Sequence, residues 1–363
     1  MSDHLFFEPA EPECDVINIG VIGVGGCGGN TVNLLADSSL PERVNIVAMN
    51  TDAKALQQSR VNILQLGKVL TRGLGAGAQA EVGRLAAEES IDEIRAQLQG
   101  ADLCFITAGM GGGTGTGAAP IVAKAARELG IMTVAIVTRP FGFEGKLRAK
   151  SADDGLKDLA EHTDALLVLP NDYLLKVLGS KTPLLQAFTE SSKVIQNAVK
   201  GLADIIGQTG LINIDFADVR TIMRQQGKAV MGIGLGTGEN KVHDATLQAL
   251  NNPLLERVEL ERARGVLLNV VASMDIGLDD FQKIGDQVAE CVGEYATVVS
   301  GISLDPNLVD SVQVTMIATG IQPPQETIAI TQQPKPQESE AKAEQEAMPD
   351  GLDIPAFLRQ RQQ

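Results

Sequence analysis

Six of the nine residues from 109 to 117, which read Gly-Met-Gly-Gly-Gly-Thr-Gly-Thr-Gly, are glycine. The loop follows the apolar run Leu103–Ala108 and precedes a helical pattern over Ala118–Leu129. Glycine loses more backbone entropy on folding than other residues, so a dense cluster indicates that the backbone must approach a ligand closely. Backbone N–H groups at the start of a helix form a positively polarised cradle for phosphate oxygens. The loop therefore predicts a phosphate site rather than a flexible linker.

A second glycine-rich segment, Gly20–Asn30, contains the spacing Gly23-x-Gly25-x-x-Gly28. With Asp52 after the next apolar run, this spacing is compatible with the NAD site of a Rossmann-type oxidoreductase. A dinucleotide fold needs one such loop, whereas a triphosphate held from two sides can use two. The sequence lacks the Gly-Lys-Ser/Thr ending of a Walker loop. We therefore expect a nucleoside triphosphate site of another type, with an oxidoreductase as the alternative.

Two carboxylates in the segment Asn213-Ile214-Asp215-Phe216-Ala217-Asp218-Val219 are candidates for chemistry. Asp215 and Asp218 stand where a turn enters a helical pattern, and such a pair can orient a water molecule or hold a cation. As a bare pattern, a helix cap explains either residue more simply. The residues alone leave both interpretations open.

The composition argues against several classes of protein. A formal net charge of −16 is unfavourable for nonspecific DNA binding and for adhesion to anionic lipid. The four cysteines include no Cys-x-x-Cys pair and the three histidines are far apart, so we expect no disulfide framework and no zinc site. The first residues lack a signal-peptide pattern, and no run of about twenty apolar residues occurs. We therefore expect a cytoplasmic protein without direct membrane insertion.

From residue 18 to about residue 170, short apolar runs alternate with helical patterns, which is typical of a doubly wound parallel sheet. Residues 80–99 predict one surface helix that ends at Gly100. The predicted strands of this unit are Asn18–Ile22, Val44–Met49, Leu103–Ala108, Met132–Thr138 and Ala165–Leu169.

A long helix is predicted after Thr182-Pro183, an N-cap residue followed by proline at the first helical position. It ends at Gly207, so it spans roughly 36 Å at about 1.5 Å per residue and can join two units. The second unit is predicted as α+β or α/β, with a helix over Leu278–Val292. Its predicted strands are Lys228–Gly234, Gly265–Ala272, Thr297–Ile302 and Ser311–Thr319.

Proline, glutamine, glutamate and lysine dominate from Gln322 to Asp350, a composition typical of a disordered linker. Apolar character returns in Leu352-Asp353-Ile354-Pro355-Ala356-Phe357-Leu358-Arg359. This short island suits a segment that orders in a partner's groove.

Several of these strings resemble the tubulin and FtsZ family of self-assembling GTPases, over about residues 18–319 plus the terminal island. The string 109–117 is similar to the family's signature loop. Asn50-Thr51-Asp52 resembles its ribose-side loop, Gly73–Ala78 its γ-phosphate loop, and Thr138–Arg148 its nucleotide-contacting loop. The resemblance implies an α/β fold in which a Rossmann-like parallel-sheet nucleotide domain is joined by a long central helix to a smaller α/β domain. Without it, Thr138–Arg148 is equally well explained as a charged surface loop with one salt bridge.

The resemblance implies a GTPase that binds GTP or GDP with Mg²⁺ and needs no metal site of its own. Its implied catalytic residues are Asp215, Asp218 and Asn213. The implied nucleotide-binding residues are Gly26, Cys27, Gly28, Gly29, Asn30, Asn50, Asp52, Ala76, Gly77, Ala78, Gly111, Gly112, Gly113, Thr114, Gly115, Thr116, Thr138, Glu144, Arg148, Phe188, Ser192 and Lys193.

In this family the acidic loop lies far from its own nucleotide and enters the site of the neighbouring subunit, where its carboxylates polarise the attacking water. The resemblance therefore implies head-to-tail protofilaments of the bacterial division ring, with GTP hydrolysed at subunit interfaces. It places the protein in the cytoplasm at midcell, on the inner face of the membrane. It also implies that Leu352–Arg359 docks onto membrane-tethering division proteins such as FtsA and ZipA.

One residue departs from the family pattern. The family places an aspartate that accepts hydrogen bonds from guanine shortly after a stacking aromatic residue, which matches Phe188. Lys193 stands at the aspartate position here, and an ammonium group has only donors. Glu190, Ser191 or Ser192 can supply the acceptor, or Lys193 can approach the guanine O6 atom. The alternative is a divergent paralogue with weak or altered nucleotide use that modulates filaments.

The resulting division of the chain has six parts. We predict a disordered N-terminal segment (1–15), a GTP-binding Rossmann-like domain (16–181), a central helix (182–208), a C-terminal domain with the catalytic loop (209–320), a disordered linker (321–350) and a partner-binding peptide (351–363).

Overall fold

Parallel strands separated by helices dominate the first half of the molecule, as the alternating apolar runs predict. The computed structural model describes residues 17–321 except 39, 42, 174–181, 208–210, 213, 226, 253–259 and 307. The predicted N-terminal segment, the terminal peptide and all of the predicted linker except Ile321 lie outside the described residues, as does Asn213.

The described strands form one sheet with the order β3-β2-β1-β4-β5-β6-β7-β10-β8-β9. Their bounds are β1 Ile19–Val24, β2 Val44–Asn50, β3 Asn62–Gln65, β4 Leu103–Gly109, β5 Met132–Arg139, β6 Ala165–Pro170, β7 Lys228–Thr237, β8 Gly265–Ala272, β9 Thr297–Leu304 and β10 Ser311–Ile321. The described helices are α1 Gly25–Ala36, α2 Ala53–Gln57, α3 Ala80–Glu89, α4 Ile91–Leu98, α5 Thr114–Glu128, α6 Lys146–Ala160, α7 Leu184–Gly207, α8 Phe216–Met223, α9 Lys241–Leu250 and α10 Leu278–Cys291.

Strands β1 to β6 are all parallel, which confirms the predicted doubly wound arrangement. Their carboxyl ends therefore meet at one border of the sheet, the carboxyl edge, and their starts at the opposite border, the amino edge. Apolar residues of β4 alternate between two cores, as a strand covered on both faces requires. Phe105 packs with α1 and α7, whereas Ile106 packs with α3 to α6.

The second half of the sheet is mixed, with β10 antiparallel to both β7 and β8 and β9 parallel to β8. A single residue pair, Leu167 with Ala229, joins it to the parallel half. The predicted long helix is confirmed as α7, which has 24 residues. It touches the second half as well, because a side chain at Gly201 would lie 3.4 Å from the Cγ2 atom of Thr315 on β10.

Two local predictions were wrong, and one short strand was missed. The helix predicted over residues 80–99 is two helices, because Ser90 leaves helical geometry and its hydroxyl accepts the backbone N–H of Gly67 at 3.0 Å. The helix predicted from Ala118 begins at Thr114, inside the glycine loop. Strand β3 was not predicted at all, since it has only four residues and polar ends. Gly100 does follow α4 with a φ of 82°, as predicted for a helix end.

Candidate functional site

The parallel sheet brings most of the predicted nucleotide-binding segments to the carboxyl edge. The two glycine-rich loops follow β1 and β4, Asn50 ends β2, and the segment Thr138–Arg148 begins at the end of β5. These strands are neighbours in the sheet, so their C-terminal loops are adjacent. Ligands of doubly wound folds bind at this border of the sheet.

Backbone approaches backbone where the two glycine loops meet. A Cβ atom at Gly25, whose φ is 74°, would lie 2.9 Å from the backbone nitrogen of Gly115. A Cβ atom at Gly28 would overlap the carbonyl oxygen of Thr107. Neither α1 nor α5 has a side-chain cap on its first N–H groups. Two helices therefore present unpaired N–H donors at adjacent positions, which is the geometry that binds phosphate oxygens.

The predicted γ-phosphate loop lies against the start of α5. A Cβ atom at Gly113 would be 2.8 Å from the Cβ of Ala76, and Ala78 adopts a left-handed backbone with a φ of 58°. The hydroxyl oxygens of Thr51 and Thr114 are 2.6 Å apart, so the ribose-side loop meets the same point. Residues 50–52, 76–78 and 113–114 thus form one continuous wall.

Two polar residues of this wall are held by local bonds. Asp52 caps α2, where one carboxylate oxygen accepts the N–H groups of Lys54 at 2.9 Å and Ala55 at 3.3 Å. Asn50 is buried and its side-chain oxygen accepts the N–H of Asp52 at 3.2 Å. These bonds fix the backbone of the loop in place. Thr51 was not among the predicted site residues, although it lies inside the quoted string.

The segment after β5 closes another side of the site. Glu144 accepts the backbone N–H of Phe141 at 2.9 Å and pairs with Arg148 at 3.1 Å. A Cβ atom at Gly111 would lie 2.7 Å from the backbone oxygen of Arg148, so this segment touches the signature loop. The salt bridge expected for a plain surface loop is present, and it lies within the site.

Cys27 faces the same segment, with its sulfur 3.8 Å from the hydroxyl oxygen of Thr138. Burial raises the pKa of the Cys27 thiol. A thiol with a raised pKa stays neutral near pH 7, so it adds no negative charge beside a phosphate.

Three aromatic rings border the site at the start of α7. Phe141 stacks on Phe143 with 5.0 Å between ring centres, and it meets Phe188 edge to face at 5.2 Å. Phe188 is 40% exposed, so part of its ring can receive a flat ligand. One turn later, Ser192 donates its hydroxyl to the carbonyl of Phe188 at 3.3 Å. Lys193 donates to Glu190 at 2.8 Å.

The acidic pair lies elsewhere. Asp215 occupies the N-cap position of α8, as the cap interpretation predicts, but its side chain makes no capping hydrogen bond. Asp218 lies in the first turn of α8, and both residues are exposed. Their carboxylates are available to a partner rather than used by the helix.

Helix α7 separates the acidic pair from the glycine loops. Near its start, Phe188 touches the segment after β5 at the carboxyl edge. Gln196 already reaches the carbonyl of Leu34 near the far end of α1, at 3.0 Å. The helix continues to Gly207, so its 24 residues span roughly 36 Å. The structure brings the nucleotide-binding segments together and does not bring Asp215 and Asp218 to them.

Comparison with known proteins agrees with this arrangement. Residues 18–179 match the model of the Tubulin/FtsZ family GTPase domain, and residues 227–322 match the FtsZ family C-terminal domain. This chain belongs to the tubulin/FtsZ family. It is 49% identical over 316 residues to the cell division protein FtsZ of Wigglesworthia glossinidia brevipalpis, covering 87% of this chain and 82% of that protein. The FtsZ of Coxiella burnetii gives the same identity and coverage.

Solved structures agree as well. An FtsZ dimer of M. jannaschii superposes with a TM-score of 0.80 at 42% identity, covering 84% of this chain and 89% of that one. Membership makes the protein a tubulin-like GTPase of cell division, and the oxidoreductase alternative is not favoured. Among the described residues, no helix combines the length and the apolar character needed to cross a bilayer.

Proposed function

We propose that this GTPase assembles head to tail, and that each nucleotide is hydrolysed at the junction of two subunits. The observation that carries the proposal is the separation of the phosphate cradle from the exposed carboxylates Asp215 and Asp218 along α7. The two parts of this site lie at opposite edges of one subunit. The site therefore becomes complete only when the amino edge of one copy meets the carboxyl edge of the next. Such heterologous contacts generate open filaments.

In this proposal the carboxyl edge of one subunit holds GTP or GDP. The unpaired N–H groups of α1 and α5 bind the phosphates, Phe188 stacks on the base, and Glu144 with Arg148 borders the ribose. Mg²⁺ accompanies the triphosphate and offsets its charge. The cradle has room for this ligand, because a Cβ atom added at Gly26, Gly29 or Gly112 would meet no protein atom within 4 Å.

Asp215 and Asp218 of the adjoining subunit orient the attacking water, with Asn213 beside them. An exposed carboxylate can accept a proton from a positioned water, and general-base catalysis of this kind contributes roughly 10²–10⁴-fold. Because neither copy holds a complete site, turnover depends on assembly. Loss of the terminal phosphate then removes a group from the junction and weakens it.

The remaining parts of the proposal concern the ends of the chain and its location. We assign residues 16–181 to the nucleotide domain, 182–208 to the central helix and 209–320 to the C-terminal domain, between tails at 1–15 and 321–350. The peptide Leu352–Arg359 binds membrane-tethering proteins such as FtsA and ZipA and so brings the filaments to midcell. Removing residues 352–363 is expected to spare turnover and polymerisation while abolishing recruitment, and unchanged midcell localisation would contradict this assignment.

The alternative of a filament modulator with altered nucleotide use is not favoured, because relatives that are 49% identical over most of the chain are cell division FtsZ proteins. Lys193 is paired with Glu190 near Phe188, so neither carries an unpaired charge toward a base. This pair bears on base recognition within the main proposal, which turnover of GTP and ATP measures.

The test of the main proposal is phosphate release across a range of protein concentrations. A shared site predicts release that rises faster than linearly until filaments form. Release proportional to protein concentration at all concentrations would mean that one chain holds a complete site.

A further inference from the structure

Arg220 lies on the same helix as Asp218 and carries a guanidinium group without an ionic partner among the described residues. Its Cζ atom is 4.9 Å from the centre of the Phe216 ring, one helical turn earlier. Its Nε atom is buried and has no hydrogen-bond partner in the part of the chain that the structure describes. The ring contact holds the planar head in place, because guanidinium groups stack favourably on aromatic faces. The terminal nitrogens are therefore a fixed set of donors.

Arg220 lies on the side of α8 that faces the amino edge of the sheet. Phe216, Arg220 and Arg224 follow one another at four-residue intervals and so share a face of the helix. Arg224 reaches Asp164, which directly precedes β6 at the amino edge. The face that carries Arg220 thus lies at the end of the subunit that head-to-tail assembly places against the carboxyl edge of the next copy.

Among the described residues at the carboxyl edge, Asp172 is the carboxylate that suits this donor. Asp52 caps α2, Glu144 pairs with Arg148, and Glu190 pairs with Lys193. Asp172, which follows β6, is exposed and accepts only the backbone N–H of Gly142, at 2.8 Å, among the described residues. A carboxylate has about four acceptor positions, so most of its capacity remains for a guanidinium.

We propose that Arg220 binds Asp172 of the neighbouring subunit and thereby holds α8, with its carboxylates, in register with that subunit's nucleotide. This inference rests on the head-to-tail assembly proposed above. Arg220 is a positioning residue, because it acts through the placement of Asp215 and Asp218. Its pairing also adds electrostatic attraction between unlike ends of a chain whose net charge is −16.

The test is a charge exchange between the two positions. Arg220→Glu and Asp172→Arg each place like charges at the junction, so each raises the critical concentration for assembly about tenfold or more. The double variant restores the pair in reversed order and returns the critical concentration to within about threefold of wild type. Sedimentation of filaments formed with a slowly hydrolysed GTP analogue measures the critical concentration of wild type, the two single variants and the double variant. Arg60→Glu, which reverses an exposed amino-edge arginine that pairs with Asp37 of its own chain, is the matched charge control and changes the value by less than about threefold.

Two conservative variants cover the possibility that a reversal unfolds the chain. Asp172→Asn keeps the acceptor for Gly142 and removes the charge, and Arg220→Lys keeps the charge and loses the planar fork. Both are expected to raise the critical concentration while leaving the urea midpoint of the GDP-bound monomer unchanged. An unchanged critical concentration in both would overturn the proposal.

The wild-type concentration series separates a failure of the Arg220 contact from a failure of the proposed assembly. If turnover rises faster than linearly but the double variant shows no rescue, the Arg220 contact is wrong and the shared site stands. If wild-type turnover per subunit is independent of concentration, the proposed assembly itself is wrong.

Discussion

Arg224 at the end of α8 pairs with Asp164 at the start of β6, with 3.4 Å between the Nε and Oδ1 atoms. This ion pair ties the helix that follows Asp215 to the amino edge of the parallel sheet. The proposed phosphate cradle lies at the carboxyl edge of the same strands. The two halves of the proposed site therefore lie at opposite borders of one sheet, and no side-chain rotation brings them together.

The first prediction separates nucleotide binding from hydrolysis. Asp218→Ala, and separately Asp215→Ala, should leave the dissociation constant for GTP unchanged and lower phosphate release by about 100-fold or more, because the carboxylates serve a neighbour's nucleotide. Thr221→Ala on the same helix removes an exposed hydroxyl whose hydrogen-bond partner among the described residues is the carbonyl of Ala217, and it should change neither quantity. Weakened GTP binding in the aspartate variants would place the carboxylates in their own subunit's site.

A second prediction uses two adjacent glycines of α1. Gly28→Ala should destabilise the protein, because its methyl group overlaps the carbonyl of Thr107. Gly29 has no atom within 4 Å of an added Cβ, so Gly29→Ala should keep or slightly raise the stability of the nucleotide-free protein, by up to about 1 kcal/mol. If the phosphates lie over this turn, Gly29→Ala should still weaken nucleotide binding. Urea unfolding without nucleotide and GTP titration measure the two effects, and unchanged binding would move the phosphates away from Gly29.

Base recognition provides a third prediction. With Lys193 in place of a carboxylate, wild type should discriminate little between GTP and inosine triphosphate, which lacks only the exocyclic amine. Lys193→Asp should tighten GTP binding, because the exocyclic amine gains an acceptor. The ratio of the dissociation constants of inosine triphosphate and GTP should then rise by about tenfold, or about 1.4 kcal/mol. Dissociation constants for both nucleotides at fixed magnesium test this. If this ratio is already large in wild type and the substitution leaves it unchanged, the acceptor is Glu190 or a neighbouring serine.

Acid sensitivity of the second half of the sheet gives a fourth prediction. A hydrogen bond from Lys241, helped by the hydroxyl of Ser273, lowers the pKa of Asp275 to about 2. A depressed carboxylate pKa stabilises the fold above the ordinary value near 4, and this contribution disappears as the pH falls toward 2. Asp275→Asn should therefore lower the urea midpoint at about pH 6, and the difference from wild type should shrink below about pH 4. A difference that persists at about pH 2 would mean that charge is not the cause.

Sequence reasoning identified the two glycine loops that meet at the carboxyl edge because their cause is local. Glycines between an apolar strand and a helix are required wherever backbone meets backbone, and Gly25 and Gly28 do so here. The long helix was predictable for the same reason, since the residues at its start, at its end and on its apolar face all belong to one continuous segment of the sequence.

The features that sequence reasoning missed depend on distant residues. The break at Ser90 exists because its hydroxyl serves Gly67, 23 positions away, which no helical pattern can show. The order of the mixed half of the sheet depends on β10 pairing with β7 and β8, which are separated from it along the chain. The ring contact of Arg220 with Phe216, and the lack of a hydrogen-bond partner for its Nε among the described residues, depend on side-chain packing that a helical pattern does not encode.

The most direct test of the shared site is a mixing experiment. Asp218→Ala keeps an intact cradle, and a Gly113→Val variant, whose side chain would press on Ala76, keeps intact carboxylates. Each protein alone should release almost no phosphate. Mixed in equal amounts, they should recover up to about a quarter of wild-type turnover, because a random head-to-tail filament joins an intact cradle to intact carboxylates at roughly one junction in four. No recovery on mixing, with both variants assembling into filaments, would contradict the account.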